Sequence, residues 1–190
     1  MTPHTLTLLM LVGAGLLPTL AAAQSYGAVD PSASKLSFRY SQMGVTLDGV
    51  FPEFDATVRY DPATPTAAST VIQVPLATID TGTEDGDAEV QGTDWFDTAA
   101  HPVARFESQS VRAVGPNTLE VSGTLSIKGE ARPITVPVTV ATNDSTATFD
   151  GSFTLKRTDF GIGAGMWAKD DVVAHAVTVS FHLVATPLAQ

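Results

Sequence analysis

Between Asp80 and His101 the chain carries Asp80, Glu84, Asp85, Asp87, Glu89, Asp94 and Asp97 without one Lys or Arg, a concentration of carboxylate that invites a calcium site. A calcium loop of the EF-hand kind sets its ligands at fixed offsets about an invariant glycine. With Gly86 in that place, Thr81 falls at the first ligand position and Gly92 where the bidentate glutamate belongs, so the motif is broken. A solvated acidic loop is the plainer reading, with an irregular cation site as the second. Asp97 and His101 stand four apart, the spacing of two metal ligands on one helical turn. No second ligand pair accompanies them, and His101 before Pro102 reads as a structural residue at the start of a strand.

Other chemistry is equally thin. Nucleophilic catalysis needs an activated Ser, Thr, Lys or Cys beside a base, and the sequence has no G-x-S-x-G elbow and Cys 0. Gly161-Ile162-Gly163-Ala164-Gly165 resembles a phosphate loop only in glycine content. It lacks the spacing and the strand-to-helix setting that aims N–H groups at a phosphate, and reads as a bend. His175 shares alternation with Val173, Val177, Val179 and Phe181, which points it toward the apolar side as a rim histidine or a polar contact for a ligand. No metal or cofactor is expected.

The elements that must position these residues are strands. Leu36, Phe38 and Tyr40 alternate with Ser37, Arg39 and Ser41, and Val45, Leu47, Gly49 and Phe51 keep the same rhythm. Period-two alternation puts every second side chain on one face. After a Pro52-Glu53 turn, Phe54, Ala56, Val58 and Tyr60 continue it. Further strands are expected at 70–76, 104–110, 118–127, 134–140, 146–155 and 172–184, with a short helical excursion near 83–98 pinned by Trp95 and Phe96. About eight strands closed into an antiparallel barrel would remove exposed edges and leave room for side chains or one small ligand. A two-sheet sandwich is the alternative.

Composition bounds the setting. Leu6 to Leu20 is apolar and Ala21-Ala22-Ala23 offers small residues for cleavage, so residues 1–23 read as a secretory signal and 24–190 as a single domain. Gly13, Gly15 and Pro18 interrupt the stretch, which argues against a membrane anchor. Ten basic against twenty acidic residues give a net charge of −10, a balance that repels phosphate backbones and disfavours nucleic acid as a partner. Hydrophobic residues make up 44% of the chain and charged ones 16%, too apolar for a disordered segment.

An ordered set of segments resembles the YceI-like family of periplasmic polyisoprenoid-binding proteins: Val29-Asp30 with Ser34, Leu36 and Phe38; Gly49, Phe51 and Phe54; Ile79-Asp80-Thr81-Gly82; Asp94-Trp95-Phe96-Asp97; His101-Pro102 with Ala104-Arg105-Phe106-Glu107-Ser108; Gly123 to Gly129; and Arg157 to Gly163. The set runs from about Val29 to about Val184. The resemblance implies a lipocalin-like barrel in the periplasm, holding a quinone tail, a polyprenyl chain or a similar amphiphile without catalysis. Phe38, Tyr40, Phe51, Trp95, Phe96, Phe106, Leu125, Ile127, Phe153, Phe160, Ile162 and Trp167 are then expected to line the cavity, with Arg157, Asp159 and His175 as candidates for a polar head group. Two features depart from the family: Ala28 stands where many members have Trp, and Glu84-Asp85-Gly86-Asp87 where many have a basic residue. A stress-related barrel filled by its own side chains, and an enzyme acting on such a lipid, remain as alternatives. The oligomeric state, a dimer included, is left open.

Overall fold

The computed structural model describes residues 24–188, so the expected signal at residues 1–23 lies outside the described residues. Ten strand segments follow in chain order: β1 (Tyr26–Val29), β2 (Lys35–Gln42), β3 (Val45–Phe51), β4 (Asp55–Tyr60), β5 (Ser69–Pro75), β6 (Val103–Gly115), β7 (Thr118–Ile127), β8 (Glu130–Thr142), β9 (Ala147–Lys156) and β10 (Ala176–Pro187). One helix, α1 (Glu84–Gln91), lies between β5 and β6. Each strand from β4 to β10 pairs antiparallel with the next in sequence, and β1 pairs with both β4 and β10, which closes the sheet.

The ten segments make a barrel of eight strands. The count falls because β1 and β2 are one strand broken in the middle, and so are β3 and β4. Leu36 faces Phe51 and, beyond both breaks, Ala28 faces Thr57. The first break is a turn in which the Asp30 carboxylate accepts from Ser32 N, Ser32 Oγ and Ala33 N. At the second, Pro52 has no N–H to give to a ladder. The expected Pro52-Glu53 turn between separate strands is therefore a bend within one strand.

Inward and outward faces follow the pleat. Along β7, Leu119, Val121, Gly123, Leu125 and Ile127 are buried while the residues alternating with them are not. Ends of the strands differ from expectation where side chains intervene. The last strand begins at Ala176 rather than 172, because the carbonyls of Val173 and Ala174 accept hydrogen bonds from the Arg157 side chain. The helical excursion is shorter than the expected 83–98. Thr83 caps α1 by accepting from Gly86 N, and Glu84, Asp85 and Asp87 in its first turn complement the helix dipole.

Three glycines on the inner face carry aromatic rings of the neighbouring strand. Phe38 lies across Gly49, Phe106 across Gly123 and Phe181 across Gly151, so that a Cβ at any of the three would overlap a ring atom. A Cβ at Gly123 would also overlap the backbone oxygen of Glu107, and one at Gly151 would come within 2.8 Å of Pro137 O. The rings thus lie flat in notches of the wall instead of pointing into the centre. Overpacking such a site typically costs about 1–3 kcal/mol. Gly123→Ala is expected to lower stability by about that amount in urea unfolding, whereas Ser126→Ala on the outer face of the same strand should stay within about 0.5 kcal/mol.

Candidate ligand cavity

The barrel encloses a cavity of about 750 Å³, inside the range of about 300–1,000 Å³ that small-molecule sites occupy. Its closed end is walled by Tyr60, Leu119, Phe149 and Leu183, and its middle by Phe38, Phe106, Leu125, Phe153 and Phe181. Tyr60 and Phe149 meet edge to face at 5.3 Å, which seals that end with ring contacts. Above the middle come Tyr40, Phe51, Trp95, Phe96, Ile127, Ile162 and Trp167. Asp48, Asp85 and Glu89 line the same cavity while exposed to solvent, which marks a mouth between the β2–β3 hairpin and α1.

Eleven of the twelve expected lining residues sit on this wall, namely Phe38, Tyr40, Phe51, Trp95, Phe96, Phe106, Leu125, Ile127, Phe153, Ile162 and Trp167. Phe160 is buried behind it, in the apolar cluster that includes Trp95 and Ile162. The expected head-group contacts are placed differently. Asp159 is exposed and off the wall, its backbone oxygen accepting from Arg132 Nε. His175 also lies off the wall: its N–H donates to the Asp170 carboxylate and its Nε2 pairs with Ala168 O at 2.9 Å. The alternation that pointed His175 inward holds only from Ala176 onward, where pairing begins.

Arg157 reaches the wall but has its donors engaged. It is 2% exposed. Nη1 donates to Ile162 O at 2.8 Å and Gly163 O at 3.0 Å, and Nε donates to Ala174 O at 3.2 Å. Nη2 donates to Trp167 O at 2.6 Å and Val173 O at 2.7 Å, with Lys169 O at 3.4 Å. The guanidinium also stands 5.4 Å over the Trp95 ring. Burial draws its pKa below the ordinary guanidinium value, a shift opposed by the Asp170 charge, and among the described residues no carboxylate is hydrogen-bonded to it. One cation therefore gathers the chain from Ile162 to Ala174 into a plug over the upper barrel. Gly163 takes a φ of +76° in that plug, and a Cβ there would overlap Nη1.

The mouth is built of polar contacts. Asp87 accepts from Thr81 N at 2.6 Å and Thr81 Oγ1 at 2.7 Å, and Trp167 Nε1 donates to Glu89 Oε1 at 2.9 Å. Asp48 forms an ion pair with Arg39 at 2.7 Å, which holds its carboxyl below the usual range. Tyr40 is pushed above its ordinary 10.0 by burial and by the Asp87 charge, so its hydroxyl is neutral at physiological pH. Tyr60 and Phe149 line the cavity although they are not among the expected lining residues; Asp48 reaches the mouth from β3, and Asp85 and Glu89 from α1, whose position against the barrel no local spacing encodes. Among the described residues no group of three or more His, Cys, Asp or Glu is placed to hold a metal ion, and no helix is long and apolar enough to cross a membrane.

A YceI-like domain model matches residues 28–185. The chain belongs to the YceI-like family. Relatives within it include a UPF0312 protein of Azotobacter vinelandii, 30% identical over 134 residues that cover 67% of this chain and 70% of the relative. Another, from Ectopseudomonas mendocina, is 29% identical over 173 residues, 86% of this chain and 90% of the relative. Among solved structures, BcnA of Burkholderia cenocepacia is 42% identical, covers 83% of this chain and 99% of its own, and superposes with a TM-score of 0.81. A polyisoprenoid binding domain from Saccharophagus degradans, implicated in plant cell wall breakdown, shares the fold with a TM-score of 0.69 at 21% identity, over 86% of this chain and 98% of that one.

For this YceI-like barrel the plug is the most sharply testable part of the site. Arg157→Ala would strip buried carbonyls of their donors, each at about 1–3 kcal/mol. The expected result is a loss of at least about 3 kcal/mol in urea unfolding and a weakened near-UV signal from Trp95 and Trp167. An unchanged near-UV spectrum would mean that Arg157 does not order the plug.

Proposed function

We propose that this chain is an exported carrier that holds a polyisoprenoid, or a similar long-chain amphiphile, inside its barrel. The cavity carries the reading: about 750 Å³ of space walled mostly by aliphatic and aromatic side chains, with carboxylates at the mouth and Ser69, Thr70 and Ser108 among the few polar residues elsewhere on the lining. A bound chain gains about 0.8 kcal/mol for each CH₂ taken from water. Ten such groups contribute about 8 kcal/mol before the cost of immobilisation, without any polar contact. The kinship with a polyisoprenoid binding domain supports this ligand class.

Export is part of the proposal. Residues 1–23 have the apolar stretch and the Ala21-Ala22-Ala23 ending of a cleaved signal, leaving residues 24–190 as one barrel domain in the periplasm. Such a compartment has no use for this chain's nucleic-acid-repelling charge as such, but an acidic surface keeps a lipid carrier soluble. Binding is favoured over catalysis because the polar groups at the wall, Arg157 above all, are engaged in holding the structure. A barrel filled by its own side chains is disfavoured by the volume left open.

Native mass spectrometry of the protein from its own periplasm, followed by organic extraction, tests the reading. A stoichiometric long-chain lipid is expected, and prior removal of residues 1–23. Phe106→Asp or Leu125→Asp, each placing a carboxylate on the apolar wall, should weaken lipid affinity at least about tenfold, given a burial penalty above 1.4 kcal/mol. Lipid affinity unchanged in a folded variant, or a protein that neither carries nor takes up prenyl lipid, would end the proposal.

A further inference from the structure

Resting on the cavity reading, we infer that Tyr60 and Leu119, at the closed end, set the length of chain that the barrel accepts. Solvent and the carboxylates of Asp48, Asp85 and Glu89 stand at the mouth, so the polar end of an amphiphile stays there and its tail points to the other end. What the tail meets is a partition made of a single layer of side chains. Tyr60 and Leu119 line the cavity, and they also line a separate hollow of about 70 Å³, whose other walls include the exposed Pro62, Pro116 and Asn117 of the connecting turns. Both are buried, at 9% and 4% exposure.

The partition is also held stiffly. Tyr60 closes β4 and is paired in the ladder with Tyr26 of β1, the strand that seals the sheet. The two rings lie 6.5 Å apart, and Tyr26 Oη donates to Asn143 O at 2.6 Å, which ties them to the β8–β9 turn. The Tyr60 ring meets Phe149 of β9 edge to face at 5.3 Å. Rings from β1, β4 and β9 are thus interlocked, and a close-packed interior yields little to a chain pressed against it. A tail that reaches the partition is fully buried. One isoprene unit more must crumple against it or push the far end of the ligand out, leaving about five apolar carbons in water at a cost well over tenfold in affinity. The side wall has one weaker place. The β5–β6 ladder ends at Val71 with Glu107, and Thr70 N donates instead to Ser108 Oγ at 2.8 Å, with Thr70 and Ser108 both on the lining. A tail that left there would escape the limit, so chain-length dependence separates the two routes.

Delipidated protein equilibrated with phosphatidylcholine vesicles that hold equimolar all-trans prenyl alcohols from C15 to C50 tests this, with the bound alcohols extracted and read by mass spectrometry. Drawing every chain from one bilayer makes the comparison one of fit, since shorter chains leave wall contacts unmade and longer ones leave carbons in water. Occupancy is expected to peak at one length and to fall at least about tenfold for the chain one isoprene unit longer. Tyr60→Ala or Leu119→Ala, each of which opens the partition toward the hollow, should move the peak up by at least one unit. Val121→Phe, which adds a ring to the inner face of β7 two residues above Leu119, should move it down by at least one unit and tests the same point should the truncated variants not fold. Loss of stability alone would lower occupancy at every length and leave the peak in place, so a peak unmoved in the folded variants overturns the inference. Occupancy that stays level or rises to the longest chain also overturns it, with the tail leaving past Thr70 and Ser108, and leaves the carrier reading intact. Failure of every alcohol to load overturns both.

Discussion

The pairing of β10 with the broken first strand is the contact on which the rest of the molecule depends. β10 runs along β9 on one side, and on the other meets β2 through Thr178 to His182 and β1 through Ala185 to Pro187. That double engagement turns a meander into a closed wall in which ladder groups find partners without a buried edge. Closure also permits an interior that is not solid. In an open sheet the inner face must be covered by another layer, whereas a closed one can leave space at its axis.

Keeping that space open requires the large side chains to stay out of it. The glycine notches do this at three places on the wall, with Phe38, Phe106 and Phe181 laid across Gly49, Gly123 and Gly151. Arg157 does the corresponding work above, where a single side chain satisfies carbonyls from Ile162 to Ala174 that no strand could pair. A guanidinium suits this task better than an ammonium because its donors are fixed in a plane and spread over several directions. The two devices are complementary: glycines make room inside the wall, and the arginine keeps an irregular segment in place over it.

How much of this was legible in the sequence depended on whether a residue's role was local. Alternation from Leu36 to Tyr40 and from Thr118 to Ile127 fixed faces correctly, since period two is a property of the chain itself. Eleven lining residues followed from that alternation and from the family resemblance. Pro52 was misread because a proline that ends a strand and one that bends it leave the same mark, and only the continued register of Ala28 with Thr57 separates them. Arg157 was expected at the head group from its polarity within the family resemblance, and His175 from its alternation with Val173 and Val177. Their engagement with Val173, Ala174, Ala168 and Asp170 depends on how the plug folds back, which no spacing encodes.

The two ends of the barrel are stabilised by different physics. The closed end buries Tyr26, Tyr60, Leu119, Ala147, Phe149 and Ala185 in one apolar cluster, where disruption exposes core. The mouth end carries α1, which has no buried residue and is tied down through Asp87, Gln91 and Glu89 by hydrogen bonds to Thr81, Ala77 and Trp167. Net hydrogen bonds at a solvated surface contribute about 0.5–1.5 kcal/mol each. Displacing α1 therefore costs a few such contacts and the packing of the half-buried Val90, while displacing a strand at the other end costs fully buried core. Local opening of a folded protein concentrates where that difference is smallest. In this barrel that place is the mouth, where the carboxylates stand.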